Sequence, residues 1–382
     1  MRILFLCSCL EPSRDGVGDY TRSLAGECVR QGHSCAIIAL HDHFIANSME
    51  SVDDAGTQKI PVLRLPAKLT WRERMEQAVA FRSHFQPDWI SLQFVPYGFN
   101  DKGIVLNLAR AFRTLTADHR LHLMLHEIWI GQTPAAPFRQ HLIGFFQRLG
   151  IKRLLSSLQP QLVTTSNAAY RSILKNAGIS AALLPLFGNI PVVASDSKPE
   201  LPIALMNERD HWWLGIFFGA LHPEWEPEPF LSILKQAAFR ANKRICLLLA
   251  GRPGATGEAL WEKLKQAYPS DLVFIESGEL PAEKISVLLQ SADFGIAASP
   301  WQLVGKSGTI AAMLDHGLPV IVTRDDFQPR PLPDEPPSTD PLLHRCDDAL
   351  EAKLRAGLPK RSAHSHLGEI TAQFCRLLQA NP

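Results

Sequence analysis

The sequence predicts an α/β fold of two doubly wound domains facing a cleft, and three observations carry that prediction. Short apolar, strand-like runs alternate with helix-like segments over most of the 382 residues. This is the pattern of a parallel sheet covered by helices on both faces. The alternation breaks over 189–211, where prolines, Ser, Asp and Lys replace periodicity and a linker is expected. The chain is also too long for one ordinary core, so two domains are expected.

The elements follow in order. The opening MRILFLCSCL reads as a buried strand over 3–9 rather than a signal peptide. Only Arg2 precedes its short apolar core, and Pro12 and a glycine turn follow it instead of a small-residue cleavage site. A Gly16-Val17-Gly18 loop comes next, then a helix over 20–31 closed by Gly32. Strands are predicted over 35–40, 89–94, 121–125 and 162–165, with helices over 103–115 and 138–155 between them. After the linker the second series places strands over 214–218, 245–250, 273–275, 294–297 and 320–322. Its helices are expected over 230–241, 258–268, 282–291 and 309–315. Six prolines in 328–341 make that stretch an exposed loop, and 364–378 looks helical. The expected domains are therefore 1–190, a linker over 191–211, 212–360, and a C-terminal helix within 361–382 with room to return to the first domain. Trp212-Trp213 opens the second domain and is expected to pack between domains.

Composition narrows the class. Apolar residues make up 46% and charged residues 20%, as in ordinary soluble domains. A net charge of +1 provides no field to gather nucleic acid, so none is expected as a partner. Seven irregularly spaced cysteines without a CxxC pair suit a reducing cytoplasm. No metal-ligand spacing is apparent, and no run has the length of a membrane helix.

The stretch SPWQLVGKSGTIAAMLDHGLPVIV, ending at Val322, points to phosphate. Lys306, Ser307, Gly308 and Thr309 form a turn into a helix, where backbone N–H groups, a helix N-terminus and an ammonium meet. The competing reading is a plain helix cap by Ser307 or Thr309. A P-loop is excluded, because Pro300 stands where that motif needs glycine. Asp293-Phe294-Gly295 is a kinase-like tripeptide without its catalytic-loop partner. Gly16 and Gly18 give the first loop amides that can meet phosphate or sugar, or simply a tight turn. Asp19 suits a general base or a helix N-cap. Ligands of such sheets sit at the carboxyl ends of the strands, and the cleft between two domains is the default site.

Several segments together resemble the GT-B glycosyltransferases, in particular the retaining family 4. They are the opening strand, glycine loop and helix, LMLHEIWIG, LVTTSNAAYRSILKNAG, LPLFGNIPV, GIFFGALHPEWEPEPFLSILKQA, GELPAEKISVLLQSADFGIAASPW and AAMLDHGLPVIVT, which span nearly the whole chain. The resemblance implies two Rossmann-like domains, the first on the acceptor side and the second holding a nucleotide-diphosphate sugar as co-substrate, with no cofactor or metal. It implies a donor-sugar contact for His126, which could orient a hydroxyl or stabilise developing charge, and places Gly219 at the donor. His222 and Glu224 follow in the same loop as weaker candidates. The family's two diphosphate-binding cations fall on Ala220 and Trp225 here, and its two glutamates on Leu303 and Ala311. Lys306 is then the charge that replaces them. Some inverting relatives carry a Gly-Asp whose carboxylate deprotonates the acceptor, the place taken by Gly18-Asp19.

The expected function is a metal-independent sugar transferase with either stereochemical outcome open. The alternatives are a non-catalytic GT-B scaffold or nucleotide-binding partner protein, and a sugar-nucleotide epimerase or hydrolase, for which no acid–base pair is evident. The acceptor would be a carbohydrate, a lipid-linked sugar or a small molecule. The helix over 138–155 carries Arg139, Phe145, Phe146, Arg148, Lys152 and Arg153. It is read as an amphipathic helix packed on the sheet, with peripheral membrane contact as the second reading.

Overall fold

The computed structural model describes residues 1–54, 59–194, 207–222, 224–330 and 332–381. It divides into two compact units. The first comprises Met1–Pro185, Gln328–Asp334 and Leu367–Pro382; the second comprises Leu186–Phe327 and Glu335–His366.

The first unit is built on β1 (Arg2–Cys7), β2 (Ser34–Asp42), β3 (Met49–Asp54), β4 (Lys59–Pro66), β5 (Trp89–Phe94), β6 (Arg120–Leu125), β7 (Leu162–Thr165) and β8 (Ala182–Leu183). Their order in the sheet is β3-β4-β2-β1-β5-β6-β7-β8. All neighbours are parallel except β3 and β4, which are antiparallel. After Arg2, every residue of β1 is buried, as is every residue of β5, because helices cover both faces. The acidic, partly exposed edge strand β3 has no apolar alternation and was not legible in the sequence. The helix Trp71–Phe85 was also missed. Its signal is the capping box Thr70-x-x-Glu73, both halves of which form.

Several expected boundaries move. The first helix runs Gly16–Arg30, so Gly16 and Gly18 are its first turn rather than a loop. Asp15 is the cap, accepting from the N–H groups of Val17 and Gly18 at 2.9 and 3.0 Å. Gly18 has no room for a side chain, since a Cβ would stand 2.5 Å from the Cys9 carbonyl oxygen. The helix expected from Gly103 starts at Leu108, because Gly103 has φ +65° and Asn100 Oδ1 binds the N–H groups of Lys102 and Ile104. The C-terminal helix is Leu367–Ala380 and belongs to the first unit. There Phe374 lies 5.9 Å from Phe5, and the Gly368 carbonyl accepts from Gln31.

The second unit orders β9 (Trp212–Phe218), β10 (Arg244–Ala250), β11 (Leu272–Gly278), β12 (Phe294–Pro300), β13 (Val320–Arg324) and β14 (Leu343–Arg345) as β11-β10-β9-β12-β13-β14. Every pair is parallel. Trp212, Leu214 and Ile216 face one core layer, while Trp213 and Phe217 face the other. The tryptophan pair thus serves this unit's own two faces, not the interdomain packing expected. The linker is shorter than expected as well. Residues 186–194 belong to the second unit: Ile190 lies in its core, and the Gly188 N–H donates to the buried Asp315 carboxylate at 3.0 Å. The remainder of that linker, over 195–206, lies outside the described residues.

The first unit also buries an ion pair. Arg64 donates from Nε to Asp42 at 2.7 Å, with no part of the Asp42 side chain exposed. Burial alone would raise the Asp42 pKa, but Arg64 and the Phe44 and Leu10 N–H groups hold it below the usual range. Through the Leu10 contact the pair anchors the chain just after β1. Removing one partner leaves a buried charge alone. Asp42→Ala is expected to lower the unfolding free energy by about 3 kcal/mol in urea titration.

Candidate functional site

In the second unit two of the expected donor residues, Gly219 and Thr309, meet at the carboxyl ends of β9 and β12. A cavity of about 210 Å³ is lined there by Phe218, Gly219, His222, Ala298, Ser299 and Thr309, among others. Gly219 ends β9 with φ +87°, a conformation that suits glycine, and its N–H donates to the Ala250 carbonyl. A Cβ there would come 3.0 Å from Thr309 Cγ2, so the helix start and the strand end are in close contact.

The Lys306–Thr309 segment is more ordered than an open turn. Trp301–Lys306 is a 3₁₀ helix, Ser307 caps the next helix, and Gly308–Asp315 is that helix. Ser307 Oγ accepts from Ile310 N–H at 3.3 Å and pairs with Thr309 Oγ1 at 2.9 Å, while the Ser307 carbonyl accepts from Ala311. The capping reading therefore holds for the Ser307 side chain, whose oxygen is engaged. The first-turn N–H groups of Gly308 and Thr309 are taken by neither the cap nor the helix ladder, and these are what the turn offers an anion.

Arg324 is the residue that sequence reasoning missed. It ends β13, is 7% exposed, and donates to Glu224 at 3.1 Å and to Asp326 at 2.9 and 2.5 Å. His222, on the cavity wall, has its pKa lowered first by burial and then by Arg324 and Lys306, against the opposing pull of Glu224 and Asp326. Both cations thus act on this corner. The Glu224 N–H donates to His222 Nδ1 at 3.2 Å, which leaves Nε2 as the protonated nitrogen. A cation closing a short apolar strand before a proline-rich loop is the sequence signal that could have found Arg324.

Of the positions expected to lack cations and carboxylates, two are committed to the core. Trp225 is 3% exposed and packs 4.9 Å from Phe217 in the core. Leu303 is buried, and Ala220 is exposed.

In the first unit Asp19 is half-buried in the first helical turn. Both its oxygens accept from the Ser13 N–H, at 3.2 and 3.1 Å. Since Asp15 is the cap, Asp19 is free of that role and instead holds the loop at Ser13. Burial raises its pKa, more than the Ser13 bond and Arg22 lower it. Gly16 stands at the exposed helix start, where a Cβ would meet nothing, whereas buried Gly18 serves close packing.

His126 follows β6 and is 8% exposed, with the Tyr20 ring 4.9 Å away edge-on. Its Nε2–H donates to Gln93 Oε1 at 2.9 Å. Gln93 donates to Ser91 Oγ, Ser91 to His122 Nδ1, and His122 Nε2–H to Thr164 Oγ1, each at 2.8 Å. The sequence reading did not see this chain, whose members come from β5, β6 and β7. Burial drives both His122 and His126 down to about 3, so both are neutral. His126 therefore keeps only Nδ1 as an acceptor.

No protein-family model matches the chain, and no curated protein matches its sequence. Its likeness is to solved structures. It is similar to sucrose-phosphate synthase from Thermosynechococcus elongatus, with TM-score 0.59 and 14% identity over 100% of this chain and 99% of that one. It is similar to Anabaena HepE crystallised with UDP and glucose, with TM-score 0.57 and 12% identity over 99% of each chain. A third likeness is to α,α-trehalose-phosphate synthase (UDP-forming) from Burkholderia xenovorans in complex with glucose-6-phosphate. Its TM-score is 0.55, at 12% identity over 99% of this chain and 96% of that one. At such identities the likeness shows the fold, which is that of the GT-B glycosyltransferases.

The buried histidines make stability depend on pH. Their folded pKa lies near 3, below the ordinary value of about 6.5. The unfolded chain therefore binds more protons in that window, and stability falls as pH drops from about 6.5 toward 3. Replacing His122 with Gln is expected to flatten the dependence of the unfolding free energy on pH between 7 and 5, whatever its effect at pH 7 alone. An unchanged slope would count against the neutral, buried histidine.

Proposed function

We propose that this protein transfers a sugar from a nucleotide-diphosphate donor to an acceptor hydroxyl, without a required metal. The observation that carries the reading is the corner at β9 and β12, where Gly219, His222 and Thr309 line one cavity, the first-turn N–H groups of Gly308 and Thr309 lie beside it, and the cations Lys306 and Arg324 act on His222 in its wall. At about 210 Å³ that cavity lies below the usual range for enclosing a drug-sized ligand, and suits the diphosphate end of a donor. Two cations and oriented N–H groups stabilise a leaving diphosphate, the main electrostatic task of the reaction. The GT-B fold of the chain supports the assignment, as do neighbours crystallised with UDP and with glucose-6-phosphate.

The first unit would hold the acceptor, whether a carbohydrate, a lipid-linked sugar or a small molecule. In the inverting version, the acceptor oxygen attacks the anomeric carbon, the bond from that carbon to the phosphate oxygen breaks, and the acceptor proton passes to Asp19. The raised Asp19 pKa makes its carboxylate a stronger base than an ordinary one. His126 Nδ1 would accept from a sugar hydroxyl. Without Asp19 as base, the retaining outcome stays open.

A second reading has its own support. Trp225 lies in the core, and Leu303 and Ala311 carry no polar group, so the donor corner has fewer specific ligands than the resembled family uses. A non-catalytic scaffold would tolerate that.

A thermal-shift panel of nucleoside diphosphates separates the two. Stabilisation by at least one member is expected, and it should be lost in Lys306→Ala and in Arg324→Ala. Each lost charge-assisted bond weakens binding by about 1.5–3 kcal/mol. No response across the panel would select the scaffold. Once a donor is identified, Asp19→Asn is expected to lower kcat by about 10²-fold or more. An unimpaired rate would remove Asp19 as the base.

A further inference from the structure

The helix Phe138–Leu158 is built the wrong way round for a helix that only packs on its own sheet. Its buried face consists of Gly144, Gln147, Gly150, Ile151 and Leu154. The glycines are required for close approach: a Cβ at Gly144 would collide with the Ile130 carbonyl, and one at Gly150 would lie 3.2 Å from Val105. Its large apolar residues point to solvent. Phe138 is 81% exposed, Leu142 49%, Phe145 60% and Leu149 45%. Their spacing of four, three and four residues places them in one stripe along the helix, opposite the buried face. Phe146 adds to the exposed surface beside it. The expectation of an ordinary amphipathic helix is thus corrected: this helix has two apolar faces, and its own unit covers only one of them.

The charge on the helix identifies the partner. It carries Arg139, Arg148, Lys152 and Arg153 and has no Asp or Glu. Arg139, Lys152 and Arg153 are exposed. An apolar stripe rich in Phe, flanked by cations and free of acids, matches the boundary between acyl chains and anionic headgroups. A second copy docking by the same face would bring these cations against one another. Among the described residues no helix is long and apolar enough to cross a membrane, so any contact by this helix is peripheral.

We infer that the outer face of Phe138–Leu158 is a docking surface for an anionic lipid bilayer, with the Phe138, Leu142, Phe145 and Leu149 stripe entering the interface and the flanking cations meeting lipid phosphates. The inference is independent of the transferase reading.

Sedimentation of the full chain with phosphatidylcholine vesicles containing phosphatidylglycerol, and separately with phosphatidylcholine alone, tests it. Binding to the anionic vesicles is expected, weakened by added salt. The double variant Phe138→Ser/Phe145→Ser should bind about tenfold more weakly or worse, at unchanged melting temperature because both side chains are exposed. In Lys152→Gln and Arg153→Gln each lost cation should weaken binding about fivefold, or about 1 kcal/mol. Absence of wild-type binding to anionic vesicles overturns the inference, as does equal binding by all variants. A lipid-free dimer that the double Phe variant abolishes would overturn it too, assigning the face to a second copy.

Discussion

In each unit the central strands pair in parallel, so each must be followed by a crossover, and every crossover departs from the same edge of its sheet. That constraint gathers the chemistry of the chain. In the second unit, Gly219 after β9, the cap and helix after β12, and Arg324 at the end of β13 all lie at the carboxyl edge. In the first unit, the Asp15–Asp19 turn after β1 and His126 after β6 occupy the corresponding edge. Two glycines then set how tightly the crossovers return: Gly18 against the Cys9 carbonyl and Gly219 against Thr309.

Charge at these edges is prepared rather than bare. Arg324 is held between Glu224 and Asp326, so its guanidinium is already oriented before any anion arrives. The same pairing means that an anion must compete with two carboxylates for that cation. Glu224 is the weaker holder: its side chain is 69% exposed and its contact is longer than that of Asp326. An anion entering the corner would therefore exchange with Glu224 at the least electrostatic cost, because exposed ion pairs contribute little. The first unit solves a different problem. Its buried polar chain from His126 to Thr164 gives each donor an acceptor, so two neutral histidines sit inside a sheet core without an orphaned ring N–H.

The fold was legible because buried parallel strands read as apolar runs, as in β1, β10 and the start of β13. What escaped lacked that signature: the acidic edge strand β3, β4 with Pro61 and Arg64 interrupting its apolar run, the short β8 and β14, the short helix Leu350–Ala356, and the weakly amphipathic helix Trp71–Phe85. Lys306, Gly219 and Thr309 were legible as candidates because a strand–turn–helix with one cation has a local pattern, and the structure brings Gly219 and Thr309 into contact. Arg324 and the Gln93–His122 chain were not, because their partners lie on other strands, and pairing across a sheet leaves no mark at fixed sequence spacing. The sequence left two readings open for Gly18 and for Ser307 for a related reason. A glycine needed for packing and one needed for a ligand look the same in sequence, as do a capping serine and a binding one.

The β9–β12 corner also bears on how far the chain departs from the family it resembles. Trp225 is a core residue packed against Phe217, the two rings tilted at 59°. A lysine at this position would have to place its ammonium outside the core, which demands a different course for the loop. The loss of that cation is therefore tied to the packing of the unit and not to one side chain, and restoring it alone would leave a buried cavity where the indole stood. Arg324 reaches the same corner from β13, on the far side of β12, without disturbing the Phe217–Trp225 contact. The chain thus keeps a largely buried cation beside the β9–β12 edge, held by Glu224 and Asp326, while Trp225 is committed to the core.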